Sequence, residues 1–589
     1  MVLPSDLVPP GDLGLPEDLV ARAEAWMAED PDPQTRAELA ALLERADEAG
    51  LRDRFGRPLE FGTAGLRGPL GAGPARMNRA LVRRTSAGLA RYLLDRQPLD
   101  GYLPGQGDRS AGTRLGAVVG HDARHRSADF AQDTARVLAA AGLQVLRFER
   151  ALPTPIIAFA VLHLGAAAGV VVTASHNPAP DNGYKVYVGD GAQALPEDAA
   201  AITAAAATSA VPDDAAISGE FDGRLADIDE AELLAAYRRA VLSAVRPSGP
   251  RRLRTVYTPL HGVGAAVLPG LFEEAGFEPP ALVAAQARPD PDFPTTPFPN
   301  PEEPGVLDLA LADAEQARAD LVLANDPDAD RLAVAVPAPG GAGFRVLTGD
   351  ELGVLIADHL MATTTGADRL VATTVVSSSM LSALAQSHGV AYVETLTGFK
   401  WIARAARQRP GHRLLFGYEE ALGYAVSTAV ADKDGLSAAL VVAGMAARAK
   451  EEGSSLLERL DALEALVGVH STAQWSLRLA GSDAMEVMAS LMARWRSAPP
   501  GQLARLQVNE VRDLARGDGD LPASDVLVLR LSGLGRVVLR PSGTEPKLKV
   551  YLEATTGPCT LDDLSEARRA ARSRLEELRR EVAGYIGAR

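Results

Sequence analysis

Short apolar runs alternate with stretches of helical spacing along most of the chain. LGAVVG (115–120), LQVLRF (143–148) and AGVVVTA (168–174) are runs of the length and composition of buried strands. ADFAQDTARVLAAAG (128–142) and TPIIAFAVLHLG (154–165) lie between those runs and have the spacing of helices. Strands that alternate with helices of this length favour a parallel or mixed sheet that is covered on both faces.

The same strand–helix order recurs further along the chain, although no clear sequence period accompanies it. A boundary is indicated at 205–252, which contains Pro, Ser, Asp and the basic stretch RPSGPRR. The pattern predicts an α/β chain with three similar mixed-sheet units and a smaller, more antiparallel C-terminal α+β unit. The predicted domains are 1–248, 249–346, 347–468 and 469–589. The further predicted strands are LRTVYTPLHG (253–262), ADLVLAN (319–325), RLVATTVV (369–376), VAYVETL (390–396), RLLFGY (413–418), DVLVLRLS (525–532), RVVLRP (536–541) and KLKVYLEA (547–554), and the further helices lie near 265–276, 306–318 and 348–361.

The two ends of the chain are predicted to be helical. Residues 15–50 are rich in Ala, Leu, Glu and Arg and predict one or two helices. The last helix, from 561, is rich in Arg and Glu and is interpreted as an amphipathic helix with a solvated face.

Composition and charge limit the classes of partner. The formal net charge of −16 over 589 residues argues against nucleic acid, because phosphate-backbone binding needs a basic field. The single cysteine, Cys559, excludes an intramolecular disulfide and leaves the redox compartment open. No run of about 18 or more apolar residues is present, and the N-terminus lacks a signal-peptide pattern. We therefore expect a cytoplasmic enzyme without a membrane partner, whose oligomeric state the sequence does not indicate.

Three aspartates alternate in NDPDADR (325–331), directly after a predicted buried strand. Asp326, Asp328 and Asp330 can converge on one hard cation, and oxygen ligands favour Mg²⁺ or Ca²⁺. An EF-hand does not fit, because its sixth position is Arg331 instead of Gly and its twelfth is Pro337 instead of Glu. A solvated acidic turn is the alternative without a metal.

A serine ends another buried strand in VVVTASHNPAPDNGYK (170–185). Ser175 needs an activating base to act as a nucleophile, and the hydrolase pattern G-x-S-x-G is absent. His176 is adjacent in sequence, so we expect its ring to point away from the Ser175 hydroxyl. A phosphorylated Ser175 that faces the aspartate-bound metal explains both motifs better than a Ser–His–Asp hydrolase. A serine that merely caps a turn is the other alternative.

Phosphoryl transfer also needs cations and proton relays, and candidates for both follow predicted strands. RPSGTEPK (540–547) combines a basic residue, two hydroxyls and a glycine turn, which is the composition of a phosphate nest. The candidates are Arg67 in the Gly-rich loop GTAGLRG (62–68), Lys185 at the end of the serine loop, Arg331, Gly398 and Lys400 in TGFKW (397–401), Lys433 in DKDG (432–435), and Arg540, Ser542, Gly543, Thr544 and Lys547.

Two further carboxylates lie in FGYEEALGY (416–424). Glu419 and Glu420 follow a predicted strand without metal-ligand spacing and with aromatic neighbours. Such carboxylates suit the recognition of sugar hydroxyls, whereas the alternative is a solvated glutamate pair.

Taken together, these motifs resemble the α-D-phosphohexomutases, the phosphoglucomutase and phosphomannomutase superfamily. GTAGLRG, TASHNP, DPDADR, GYEEALGY and RPSGTEP occur in the family's order over nearly the whole chain. TASHNPAPDNGYKVY, TGFKWI and GYEEALGY are most similar to the branch that contains bacterial phosphoglucomutases and phosphopentomutase-like phosphoglucomutases, rather than to the shorter phosphomannomutase/phosphoglucomutase branch. The resemblance implies four domains around a central cleft, each of which contributes one loop.

The resemblance also implies the role of each site residue. Ser175 would be the phosphoserine that exchanges its phosphoryl group with substrate, and it would hold Mg²⁺ together with the three aspartates. Lys185 would be a general acid/base. Arg67, His176 and Arg331 would lie near the transferring group; Gly398, Lys400, Glu419, Glu420 and Lys433 would lie at the sugar; and Arg540, Ser542, Gly543, Thr544 and Lys547 would hold the phosphate that does not react.

The implied activity is that of a phosphoglucomutase, an isomerase that interconverts glucose 1-phosphate and glucose 6-phosphate through glucose 1,6-bisphosphate. Many hexomutases have Glu-x-Ser in the sugar loop, but here Ala421 follows Glu419 and Glu420. Alanine cannot bond a sugar hydroxyl, so a pentose or mannose phosphate remains an alternative substrate. Two alternatives from other classes are a Mg²⁺-dependent sugar-phosphate phosphatase and a catalytically silent sugar-phosphate sensor.

Overall fold

The computed structural model describes residues 15–62, 65–96, 115–219, 221–479, 484–519, 521–542 and 547–587. The chain forms three mixed-sheet α/β domains followed by an antiparallel C-terminal domain, which confirms the predicted fold class. Among the helices of these residues, none combines the length and the hydrophobicity that a bilayer-spanning segment requires.

Three N-terminal helices precede the first sheet. Asp32 and Asp47 cap the second and third of them by accepting the backbone N–H groups of Gln34 and Gly50. Their apolar faces pack together and against Ala72 of the first domain. The helices are α1 (Glu17–Glu29), α2 (Pro33–Glu44) and α3 (Glu48–Phe55).

The first domain has a six-stranded sheet whose central strands are parallel. The strands are β1 (Leu66–Pro69), β2 (Leu115–His121), β3 (Gln144–Arg147), β4 (Ala168–Val172), β5 (Asp181–Val188) and β6 (Leu225–Asp227), and the helices are α4 (Arg79–Asp95), α5 (Ser127–Ala140), α6 (Thr154–Leu164), α7 (Pro196–Ala207) and α8 (Glu230–Val245). The strand order is β1-β5-β4-β2-β3-β6, in which β5 alone runs antiparallel to the other five strands.

Two segments of this domain differ from their prediction. The serine loop, predicted to extend to Lys185, ends at Asp181, where β5 begins, and part of the predicted Gly-rich loop is β1. Strand β5 is buried along nearly its whole length, so it lacks the alternation that marks a half-exposed strand. Gly183 lies so close to two neighbouring backbones that a Cβ would approach the carbonyl oxygens of Thr173 and Leu66 to 2.5 and 2.7 Å. The predicted boundary at 205–252 contains α8, which packs on α6.

The second domain repeats this plan with five strands. Its strands are β7 (Thr255–Thr258), β8 (Ala281–Leu282), β9 (Leu321–Ala324), β10 (Ala333–Pro337) and β11 (Phe344–Val346), and its helices are α9 (Leu268–Glu274) and α10 (Asp308–Ala317). The order is β11-β10-β9-β7-β8, with β7, β8 and β9 parallel.

The third domain has four strands, of which three are parallel. Asp434 and Thr348 cap two of its long helices. Its strands are β12 (Arg369–Thr374), β13 (Ala391–Thr395), β14 (Arg413–Glu419) and β15 (Gly423–Ala425), and its helices are α11 (Gly349–Thr363), α12 (Met380–Ser387), α13 (Phe399–Ile402), α14 (Gly435–Glu451) and α15 (Leu456–Val467). The order is β13-β12-β14-β15.

The C-terminal domain is an antiparallel sheet covered by two helices. Its strands are β16 (His470–Arg478), β17 (Gln502–Leu503), β18 (Leu506–Asp513), β19 (Leu527–Leu531), β20 (Gly535–Pro541) and β21 (Lys547–Thr555), and its helices are α16 (Ala484–Ser497) and α17 (Leu564–Ile586). The order is β16-β21-β20-β19-β18-β17. Helix α17 is amphipathic, in agreement with its prediction, and its apolar face buries Leu575, Leu578 and Val582 against the sheet.

The apolar core joins the first three domains more closely than it joins the fourth. One cluster runs continuously from α6 and α8 through α9 to α11 and α14. The C-terminal domain has its own cluster and meets the third domain through a smaller one around Val375, Leu396 and Val538. The loops of the first three domains are therefore held in fixed register by packing.

Candidate active site

Three polar loops meet where parallel strands of the first three domains end. They are the serine loop after β4, the aspartate loop after β9 and the glutamate loop after β14. Crevices at the carboxyl ends of parallel strands are the usual position of sites in α/β folds. The side chains of Ser175 and Asp326 join the first two loops by a hydrogen bond, and a backbone hydrogen bond from Leu332 to Leu422 joins the second loop to the third.

Ser175 joins the first two loops directly. Its hydroxyl donates to Asp326 Oδ2 over 2.5 Å, and the residue is 1% exposed. The backbone of Ser175 has φ of 51°, in the left-handed region that non-glycine residues seldom adopt. Such conformations persist where surrounding contacts hold them, and they concentrate at functional sites.

The structure corrects the predicted orientation of His176. Its Nδ1 lies 3.2 Å from Ser175 Oγ instead of pointing away. The left-handed conformation of Ser175 turns the chain back, which brings the two adjacent side chains to the same side. Burial, and secondarily the charges of Arg331 and Arg67, place the pKa of His176 well below its usual value. The imidazole is therefore neutral.

The three aspartates form a buried group of carboxylates. Oxygen atoms of Asp326, Asp328 and Asp330 lie within 4.8 Å of one another. Asp328 Oδ1 and Asp330 Oδ1 are buried and have no hydrogen-bond partner among the described residues. Buried, unpartnered carboxylate oxygens are costly unless a cation satisfies them. The donor set and the orphaned oxygens thus fit a hard divalent metal ion.

Lys185 packs against this group from strand β5. Its Nζ lies 2.7 Å from Asp328 Oδ2 and 3.0 Å from Asp330 Oδ2, and its side chain is 1% exposed. Burial alone would raise the pKa of Asp328, but the charge and hydrogen bond of Lys185 outweigh it and lower that pKa. Thr154 donates a further hydrogen bond to Asp328. For Asp326, burial and the neighbouring carboxylates raise the pKa.

Two arginines line the same group. The backbone N–H of Arg331 donates to Asp326 Oδ1 over 3.1 Å, and its Nε lies 3.8 Å from Asp326 Oδ2. Arg67 lies on β1 opposite Gly183 of β5, and its buried Nε has no hydrogen-bond partner among the described residues. Burial lowers the pKa of Arg67, whereas the charges of Asp328 and Asp330 oppose that shift. Both guanidinium groups are therefore available to an anion at Ser175.

The two glutamates of the third loop point in different directions. Glu419 Oε1 accepts the backbone N–H of Gly398 over 2.8 Å, and Gly398 has φ of 111°, which favours glycine. Glu420 instead accepts the hydroxyl of Ser377 over 3.1 Å and lines a cavity of about 320 Å³ between the second, third and fourth domains. Burial and the charges of Glu419 and Asp350 raise the pKa of Glu420 to about 7. The role of Glu420 as a sugar ligand stays a prediction, and the structure places its carboxylate at this cavity.

The two predicted lysines of the third domain are both buried. Lys433 Nζ lies 3.2 Å from Asp330 Oδ2 and 3.6 Å from Asp432 Oδ1. Lys400 lies in helix α13, where burial and the charge of Arg404 lower its pKa. The structure thus brings Lys433 to the aspartates.

The C-terminal residues supply further cations. Arg540 pairs with Lys549 across β20 and β21, and the backbone N–H of Ser542 donates to Lys547 O over 2.7 Å. Gly543 and Thr544 lie outside the described residues. Burial lowers the pKa of Lys549; the charge of Glu420 opposes this shift, and the charges of Arg540, Lys547 and Arg331 add to it. This cationic strand end therefore lies within electrostatic range of the aspartate loop.

Sequence reasoning missed several residues that shape the site. Lys549 could have been found, because residues two apart on a strand lie on the same face and Lys547 was already a candidate. Tyr187 and Gln193 donate to Asp432 Oδ2 over 2.7 and 2.8 Å, and no local pattern marks them. Their bonds fix the loop that carries Lys433.

The chain matches four successive family models. They are described as phosphoglucomutase/phosphomannomutase α/β/α domain I (residues 58–211), domain II (235–341), domain III (348–463) and the C-terminal domain (504–570).

Individual proteins match over most of the chain as well. A Haemophilus influenzae protein named as a probable phosphomannomutase is 39% identical over 81% of this chain and 93% of its own length. The human phosphopentomutase is 34% identical over 94% of each chain. A solved Burkholderia thailandensis structure, titled as a phosphoglucomutase/phosphomannomutase family protein, shares the fold with a TM-score of 0.64 at 19% identity, over 89% of this chain and 97% of that one.

Proposed function

The chain belongs to the phosphoglucomutase/phosphomannomutase family, and on this premise we propose that it is a phosphosugar mutase that acts through phosphorylated Ser175. The observation that supports this most strongly is the contact of Ser175 Oγ with Asp326, 2.5 Å away, beside two buried carboxylate oxygens that have no hydrogen-bond partner in the described part of the chain. A nucleophilic hydroxyl and an incomplete metal site in contact are the two requirements of phosphoryl transfer.

The proposed reaction has two transfers of opposite direction. The bond between Ser175 Oγ and phosphorus breaks while a free hydroxyl of the sugar monophosphate forms a bond to that phosphorus. The resulting sugar bisphosphate turns end for end, and its other phosphoryl group returns to Ser175. The products are the isomeric monophosphate and the phosphorylated enzyme, so phosphate is conserved.

The charged residues of the site have distinct tasks in this scheme. Arg67 and Arg331 would neutralise the phosphoryl oxygens during transfer. Lys185 would move the proton between the sugar hydroxyl and the site, and the neutral His176 is placed to exchange a proton with Ser175 Oγ. Mg²⁺ held by Asp326, Asp328 and Asp330 would supply further positive charge to the phosphoryl group.

The substrate is held at its other end by the third and fourth domains. Glu419 would accept hydroxyl groups of the sugar ring. Arg540, Lys547 and Lys549, together with Ser542 and its neighbours Gly543 and Thr544, would bind the phosphate that does not react. A single distal phosphate site serves both transfers, because the bisphosphate presents either end to it.

We propose glucose 1-phosphate and glucose 6-phosphate as the substrate pair, with glucose 1,6-bisphosphate as intermediate and activator. The likeness of TASHNPAPDNGYKVY and GYEEALGY to the phosphoglucomutase branch supports glucose. Pentose phosphates are the second candidate, supported by Ala421 in the sugar loop and by the match to the human phosphopentomutase.

A coupled assay tests both points. Glucose 1-phosphate, Mg²⁺ and a trace of glucose 1,6-bisphosphate are supplied, and glucose 6-phosphate and free phosphate are measured together. Formation of glucose 6-phosphate without phosphate release supports the proposal. Turnover of ribose 1-phosphate but not of glucose 1-phosphate would show that the substrate is a pentose phosphate, and the proposed phosphoserine mechanism would stand. Phosphate release in step with substrate loss would show a phosphatase and refute the mutase.

A further inference from the structure

A buried arginine outside the predicted site holds the backbone of the serine loop. Arg124 follows β2, and its side chain is 1% exposed. Its Nη2 donates to the carbonyl oxygen of Ser175 over 2.7 Å and to that of Asn177. Its Nη1 donates to Pro178 O over 2.9 Å and to Asp181 O over 3.1 Å. One guanidinium group thus binds four carbonyls within seven consecutive residues.

These contacts stabilise an unfavourable backbone conformation in the loop. Ser175 adopts φ of 51°, and a single non-glycine residue in this region costs on the order of 1–3 kcal/mol. Buried carbonyl groups also need donors, because each one left unpaired is penalised. Arg124 supplies a donor to the buried carbonyl of Ser175 and to three partly buried carbonyls that follow it, and so fixes the backbone of the serine loop.

The same guanidinium also connects the loop to the domain that carries the aspartates. The ring of Phe293, from the second domain, lies against the guanidinium, with 4.9 Å from its carbon to the ring centroid. Asp122 accepts the backbone N–H of Arg124 over 3.0 Å and lies 3.5 Å from its Nε. Asp122 and Phe293 therefore fix the position of Arg124, and the two Nη atoms of Arg124 bind the serine loop.

We propose that Arg124 is a positioning residue that keeps the Ser175 loop in the conformation required for phosphoryl transfer. The inference rests on the proposed mutase function for its kinetic test. Arg124 acts through backbone carbonyls, and none of its described contacts is with the residues proposed to hold the sugar or the distal phosphate. Its loss should therefore lower the rate of transfer and leave sugar-phosphate binding nearly unchanged.

The kinetic experiment compares Arg124→Lys and Arg124→Met with a matched control, Arg83→Lys. Arg83 is also fully buried in the first domain, and it binds Asp133, Asp214 and the carbonyl of Pro212, all outside the serine loop. A displacement of about 1 Å at the reacting group costs roughly 100-fold in rate. We expect Arg124→Lys to lower kcat by about 10- to 100-fold with KM within about 3-fold, and Arg83→Lys to leave kcat unchanged.

A second measurement does not depend on turnover. Amide hydrogen exchange of residues 173–183 should be faster in Arg124→Lys than in the wild type, whereas Arg83→Lys should leave it unchanged. Unchanged exchange in this segment would overturn the proposal, as would equal kcat values for Arg124→Lys and Arg83→Lys. If the wild type showed no mutase activity on any sugar phosphate while exchange changed as expected, the proposed function would fail and the loop-positioning role would stand.

Discussion

The buried pair of Lys185 with the aspartates should be far more important for stability than a surface pair of equal length. Lys185 Nζ lies 2.7 Å from Asp328 Oδ2, and Lys450 Nζ lies 2.7 Å from Asp320 Oδ2. The two lysine side chains are 1% and 46% exposed. Replacing each lysine by methionine removes the same contact at two levels of burial.

The expected magnitudes follow from burial. Removing one partner of a buried ion pair costs about 3–5 kcal/mol, because the remaining charge is neither paired nor hydrated. Lys185 faces a second carboxylate at 3.0 Å, so Lys185→Met should lie near the upper end. An exposed pair contributes about 0–1 kcal/mol, so Lys450→Met should be nearly neutral. Excess Mg²⁺ should restore part of the loss in Lys185→Met, because a bound cation would replace the missing charge.

Urea unfolding of the wild type and both variants, with Mg²⁺ and with a chelator, measures these differences. The quantity compared is the free energy of the first unfolding transition. If both variants lost the same free energy of unfolding, below about 1 kcal/mol, the reasoning would be refuted. Such a result would mean that Lys185 is not needed to compensate the negative charge of the aspartates. A loss in Lys185→Met that Mg²⁺ leaves unchanged would contradict the proposed metal site.

Three further predictions test other parts of the site. Ser175→Ala should abolish turnover and leave the calorimetric Kd for the sugar phosphate within about 3-fold, since the hydroxyl donates to Asp326, which is proposed to hold the metal and not the sugar; turnover at a normal rate would refute the mechanism. The pKa of Glu420 rises from 4.5 to about 7 on folding, so its contribution to the free energy of unfolding, up to about 3 kcal/mol, should be present below pH 4.5 and lost as the pH rises to about 7. In Glu420→Gln, the melting temperature should no longer fall between pH 4.5 and about 7 on account of this group. An unchanged dependence of melting temperature on pH would contradict the raised pKa of Glu420. Tyr187→Phe removes one of the two side-chain donors to Asp432 Oδ2 and should cost about 1–2 kcal/mol in chemical denaturation and raise KM through Lys433, whereas an unchanged KM would show that the loop does not depend on this bond.

Much of the fold was predictable because its strands end abruptly in polar residues. The runs before Ser175, Asp326 and Glu419 are apolar and short, and the structure places a strand at each of them. Strand β5 was missed because both of its faces are buried, so the alternation on which the prediction depends is absent. Its buried polar residue, Lys185, resembled a loop residue in sequence and is instead a partner of the aspartates.

The orientation of side chains was harder to predict than their proximity. The position of His176 depends on the backbone of Ser175, and a left-handed serine has no sequence pattern. The separation of Glu419 and Glu420 could have been foreseen, because successive residues at a strand end point to opposite faces. Arg124 could not have been found, because its partners are carbonyl oxygens, which every residue has.

The charges of the aspartate group show how the site depends on the docking of the domains. Its three carboxylates form ion pairs with three cationic side chains of the described residues, and each comes from a different domain: Lys185 from the first, Arg331 from the second and Lys433 from the third. Buried carboxylates without such partners are strongly unfavourable. Separation of any one domain would remove a cation and leave the aspartates with uncompensated charge. The continuous apolar core of these domains is therefore what makes a buried group of three carboxylates stable enough to serve as a site.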